Sequence, residues 1–253
     1  MLVVNRKIMI CSILIMLSII IILKTGSSDA INTVNDYDDY RITQMPETRF
    51  FDQYEELSAP EKTAVVYPIL TQSAYAWGGI HDFYLGRCET CSEVKIEEYY
   101  DPIFSVGAKS FRILEFLGYS VIDDIDIDKN PSILNNFNSV VLLHNQYATE
   151  NEFLAITSHP NVVYLYPGAL NSKVKINYDT NSMILERGPA YPHEDIINGF
   201  DWKYDNSDIS NNTICEEWKY YKIENGHMLD CTPEDIIQNN DELLKELKRL
   251  VEF

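Results

Sequence analysis

Four polar side chains in a row, His144, Asn145, Gln146 and Tyr147, follow the apolar run 139–143, and a second polar and aromatic group, Gln72, Tyr75, Trp77, His81 and Asp82, follows the apolar run 63–70. Amides, imidazoles and phenols hydrogen-bond neutral polar molecules, and rings placed beside them suit sugars and other polar organics. Asp82, His144 and Glu194 are the candidates for acid–base work, since a carboxylate and an imidazole beside an aromatic crevice can be tuned to exchange protons. Nucleophilic catalysis has less behind it. There is no G-x-S-x-G elbow, and the turn Pro167-Gly168-Ala169 offers neither Ser nor Cys. His81 with Asp82, His144, and His193 with Glu194 have none of the spacings of a metal-ligand pair, so no metal is assigned. Asp124, Asp126 and Asp128 begin like a calcium loop, but Lys129 stands where that loop needs Gly and Asn135 where it needs a bidentate Glu. Gly107-Ala108-Lys109-Ser110 lacks the glycine spacing of a phosphate loop, and no cofactor motif is present.

These side chains need a frame that brings two chain segments together. The uniformly apolar runs 139–143 and 162–166 are joined by a helix-length crossover, the pattern of parallel strands covered on both faces. Thr149 and Glu152 have capping-box spacing ahead of Phe153, Leu154 and Ile156, and His159-Pro160 ends the helix. The run 63–70 is a first strand, 119–122 a second, and a helix over 107–117 stops at Gly118. With a spatial strand order of 2-1-3-4, a crevice opens at the carboxyl edge between the first and third strands. It would gather Gln72, Tyr75, Trp77, His81, His144, Asn145, Gln146 and Tyr147 as ligand-binding residues. Alternation over 173–177 and 183–186, and around Asn225-Gly226, predicts two hairpins. Leu243, Leu244, Leu247, Leu250 and Val251 make one stripe of a C-terminal helix. The expected fold is α/β, a flavodoxin-like three-layer sandwich with a mostly parallel sheet, β-hairpin additions, a C-terminal helix and an N-terminal transmembrane helix.

The 253 residues carry a net charge of −19, which opposes nucleic acid, because phosphate contacts need clustered Lys and Arg. Residues 8–23 are continuously apolar after Arg6 and Lys7, so residues 1–24 read as a membrane anchor, with secretion after a cut at Ala30 as the alternative. Residues 25–60 read as an acidic tether and 61–253 as an extracytoplasmic domain. Four exported cysteines, Cys88, Cys91, Cys215 and Cys231, suit disulfides; the local pairings are preferred, with two crossed pairings open. Asn211 begins a glycosylation sequon. Partners would be the membrane and a small polar ligand, a sugar or an envelope component. The alternatives to a binding role are a hydrolase using Asp82 and His144, or a structural envelope protein.

Residues 125–134, 140–170 and 198–206, supported by Cys88 and Cys91, resemble a family of exported proteins of ammonia-oxidising archaea. That resemblance extends over most of 63–253 and implies a family, not an activity. The strand, turn and helix of the central unit are similar to class I glutamine amidotransferase-like domains. Such enzymes need a Cys on the strand-to-helix elbow, which 167–169 lacks, so the similarity implies architecture and not glutamine hydrolysis.

Overall fold

The computed structural model describes residues 49–97, 107–209, 215–233, 237 and 240–252, all within a unit running from Thr48 to Phe253. The apolar run 8–23, the cut at Ala30 and the Asn211 sequon lie outside the described residues. Among the described residues no helix is long and apolar enough to cross a membrane.

Helices α1 (Arg49–Asp52) and α2 (Tyr54–Leu57) precede strand β1 (Thr63–Tyr67). Then come α3 (Ile69–Tyr75), α4 (Ile80–Tyr84), β2 (Glu93–Lys95), α5 (Ala108–Phe116) and β3 (Ser120–Asp123). Helix α6 (Asp124–Lys129) and a 3-10 turn (Pro131–Asn136) lead to β4 (Ser139–Leu142), followed by β5 (Tyr147–Ala148), α7 (Glu150–Ser158) and β6 (Val162–Tyr164). Strands β7 (Ser172–Asn177), β8 (Ser182–Arg187), β9 (Tyr220–Ile223) and β10 (Gly226–Leu229) precede the last helix, α8 (Asp241–Val251).

The main sheet runs β3-β1-β4-β6-β10-β9, parallel except for β9. Its first four members stand in the order second, first, third, fourth, consistent with a flavodoxin-like domain. Every residue of β1, β4 and β6 is buried, as expected of strands covered on both faces, whereas the edge strand β3 exposes Ser120 and Val121. The two faces follow the two-residue period of a strand. Val65, Val141 and Val163 join one core with Phe111 and Leu114 of α5 and Leu243, Leu244 and Leu247 of α8. Val66, Val140, Leu142, Val162 and Tyr164 join the other with Ile127 of α6 and Ile156 of α7. Removing each such aliphatic side chain from water contributes about 1.5–3 kcal/mol.

Several boundaries differ from the sequence reading. The first strand stops at Tyr67, because Pro68 turns the chain and the apolar residues Ile69 and Leu70 start α3 instead. The aromatic stretch after it is two short helices. The aspartate run, which lacks the residues of a calcium loop, is a helix, and Asp123 and Asp126 form a reciprocal capping box at its start. Residues 49–57, assigned above to the tether, form α1 and α2, and Phe50 and Leu57 are wholly buried in the core. Both local disulfides are present, Cys88–Cys91 and Cys215–Cys231.

A second sheet, β2-β8-β7-β5, contains the hairpin of β7 and β8. The chain leaving β4 enters it before reaching α7, because β5 pairs in parallel with β7, Tyr147 opposite Ser172.

At Gly226, where β10 lies against β6, an added Cβ would sit 1.8 Å from the carbonyl oxygen of Val162. That neighbour is backbone and cannot rotate away. Gly226→Ala is expected to lose about 1–3 kcal/mol or more of stability, read from denaturant midpoints, where an ordinary surface substitution loses within about 0.5 kcal/mol.

Candidate functional site

Strands β1 and β4 are neighbours, and their onward connections pack on opposite faces of the sheet, α5 on one and α7 on the other. A gap therefore remains at their carboxyl ends, and the second sheet walls it. The resulting cleft, about 470 Å³, is lined by Tyr75, His81, Tyr84, His144, Gln146, Tyr147, Gly168, Asn171, Pro189, Ser207 and Asp208.

Tyr75 joins the two tips. Its hydroxyl donates to Gln146 Oε1 at 2.8 Å, and its ring stacks on His81 with centroids 4.3 Å apart. The segment after β4 is held by its own backbone. Asn145 O accepts from Leu170 N at 2.7 Å, Gln146 O from Ser172 N at 3.0 Å, and Tyr147 N donates to Thr71 Oγ1 at 3.1 Å. Side chains carried on a segment fixed this way have little freedom to leave the cleft. Tyr84 reaches the wall because residue 188 is glycine: a Cβ there would lie 2.1 Å from its hydroxyl oxygen.

Tyr75, His81, His144, Gln146 and Tyr147 are brought together from the expected set, and three others are not. Trp77 is fully exposed and does not line the cleft. Its position follows from the Gly78-Gly79 turn, where Gly78 N donates to Asp82 and the chain swings outward. Gln72 turns inward to accept from the Tyr67 hydroxyl at 2.7 Å. Asn145 is wholly buried and turns inward to donate to Asp124 at 2.6 Å. Sequence reasoning missed Tyr84, Gly168, Asn171, Pro189, Ser207 and Asp208. Tyr84 lies two residues past Asp82 in the same segment; the rest depend on how the second sheet and the following loop dock.

The acid–base candidates do not meet. Asp82 accepts from Gly78 N at 2.8 Å and pairs with Arg87 at 3.5 Å, while Glu194 is exposed outside the lining. His144 has its Nδ1 buried without a hydrogen-bond partner, so no carboxylate orients it as a base. Burial pushes its pKa down to about 4, with His81 adding repulsion, and burial likewise holds His81 below the usual histidine range. Burial raises the phenols of Tyr75 and Tyr147, and Tyr84 is pushed up to about 12. Apart from Asp208, the described lining is therefore uncharged at neutral pH. Among the described residues no three His, Cys, Asp or Glu side chains converge to hold a metal ion.

In comparisons with known protein families and with curated proteins, nothing matches this chain.

A histidine held at about 4 where an unfolded chain has 6.5 makes stability pH-dependent. Between these values the unfolded chain binds a proton that the folded chain refuses. The contribution is complete above the unfolded value and is lost as pH falls, by about 1.4 kcal/mol per pH unit. His144→Gln should remove that acid-side loss in denaturant midpoints measured against pH, and the His144 ring resonances of the parent should not titrate near neutrality.

Proposed function

We propose that the chain is a ligand-binding domain displayed outside the cytoplasm, which takes a small uncharged polar molecule, of the sugar or amide type, in the cleft between β1 and β4. The observation that carries this reading is the lining itself. Three phenols and two imidazoles held neutral by burial stand with Gln146, Asn171 and Ser207, and no Lys or Arg is among the described lining residues. Such a surface offers ring faces and neutral hydrogen-bonding groups while giving an anion no counter-charge. A hydrolase working through an imidazole needs that base oriented by a third group, whereas Asp82 is held by Gly78 N and Arg87 and no carboxylate orients His144.

The extracytoplasmic placement is supported by the apolar run 8–23 and by two disulfides in a chain whose remaining cysteine, Cys11, falls inside that run. The same features support an N-terminal anchor bearing a flavodoxin-like domain. The resemblance to exported proteins of ammonia-oxidising archaea, and at fold level to amidotransferase-like domains, belongs to this reading as proposed kinship.

Titration calorimetry of the full-length chain against a panel of monosaccharides, polyols and small amides, with acetate and sulfate as anionic controls, tests it. Saturable binding is expected for a neutral member and not for the anions. Gln146→Ala should weaken it about 3–10-fold, the loss of one neutral hydrogen bond. Trp77→Ala, outside the lining, should bind as the parent does. Equal weakening by Trp77→Ala, or binding confined to the anions, would sink the assignment.

A further inference from the structure

One residue behind the cleft wall, Asp124 and Glu152 lie side by side with no exposure to solvent. Asp124, at the start of α6, accepts from Leu70 N at 2.8 Å and from the Asn145 amide at 2.6 Å. Glu152, in the first turn of α7, accepts from Thr149 N at 3.4 Å through Oε2, while its Oε1 is buried and receives no N–H or hydroxyl donor. No cation offsets the two among the described residues. Asp123 acts on Asp124 and Asp128 on Glu152, both repulsively. Lys129 acts on Asp123, and Lys173 is held by Glu150 and Glu186. From the other packed elements, α3 contributes only the Leu70 N–H, and the segment after β4 the Asn145 amide and the uncharged ring of His144. Two ionised carboxylates in such a place would be mutually repelling buried charges without compensation. A carboxyl oxygen can donate to its neighbour only if it keeps its proton.

We propose that Asp124 and Glu152 share one proton, carried on Oε1 of Glu152 and donated to Asp124, and that this bond locks Asn145 and the start of α3, so that the pair positions the cleft and releases it when the proton leaves. The ionised Asp124 then accepts three donors at once: the Leu70 N–H, the Asn145 N–H and the Glu152 O–H. Asn145 lies between His144 and Gln146, and α3 carries Tyr75, so the lock holds both tips of the cleft. The shared proton stands apart from the nature of the ligand; its link to the cleft rests on the ligand-binding reading.

The sign of the pH dependence follows from burial. The folded chain keeps a proton that the unfolded chain has already given up above the ordinary carboxylate range. The pair's contribution is complete below that range and is lost as pH rises, the folding constant falling by up to about tenfold per pH unit. This runs opposite to the effect of His144.

Denaturant unfolding of the full-length chain from mildly acid to alkaline solution provides the test. The parent should lose stability on the alkaline side. Glu152→Gln, which keeps a donor for Asp124 and cannot ionise, should flatten that decline, and Glu150→Gln on the same helix should leave it in place. An undiminished decline in Glu152→Gln overturns the proposal. Should that variant fail to fold, infrared spectra of the parent decide: a protonated-carboxyl carbonyl band persisting at neutral pH supports the shared proton, and its absence overturns it. The His144 ring resonances read the cleft separately. They should move where the parent's decline levels off, on the alkaline side where the folded chain gives up the shared proton, and stay still in Glu152→Gln; if they do not move there while the decline flattens in the variant, release of the cleft is overturned and the shared proton stands.

Discussion

One buried carboxylate ties together the ends of three neighbouring strands. Asp124 directly follows β3, and it binds Leu70, just past β1, and the side chain of Asn145, just past β4. In a parallel sheet the strand ends are held laterally only as far as the ladder runs, and beyond it each chain departs separately. A point of negative charge at that edge, wholly enclosed and supplied with N–H donors, does the work the ladder no longer does. The arrangement closes the bottom of the gap at the switch point and leaves its upper part open.

The upper part becomes a cleft because the chain does not go straight from β4 to its crossover helix. It first adds β5 to the second sheet, and this short detour presents Gln146 and Tyr147 to the same space as Tyr75 and His81. The hairpin of β7 and β8 and the loop after it then supply the facing wall. Gln146 and Tyr147 are fixed in that space because the backbone of 145–147 bonds to Leu170, Ser172 and the Thr71 hydroxyl.

The electrostatics of the molecule are divided by depth. The surface carries the excess of acid groups that gives the chain a net charge of −19, and most of its ion pairs are exposed and of small energetic weight. Inside, burial drives the titratable groups toward their neutral forms: imidazoles unprotonated, phenols protonated, one of two carboxyls retaining its proton. The cleft sits at the boundary between these regimes and takes its character from the inner one.

Most of the frame could be read from the chain. The continuous apolar runs and the Thr149 and Glu152 capping box specify local structure through short-range patterns, and the buried strands, α7, both hairpins and the C-terminal helix stand where those patterns put them. The pairing of Cys88 with Cys91 and of Cys215 with Cys231 follows closeness in sequence. Tertiary structure alone decided which polar residues meet. Trp77, the largest ring of the first tip, points into solvent, whereas Ser207 and Asp208, far along the chain and without a motif, face the cleft. Asp124, one aspartate in an acidic run, proved wholly buried against Glu152. Helix and strand periods are properties of neighbours in sequence; the meeting of two loop tips and the enclosure of a carboxylate depend on how sheets and helices pack across long chain separations, and no local pattern encodes that.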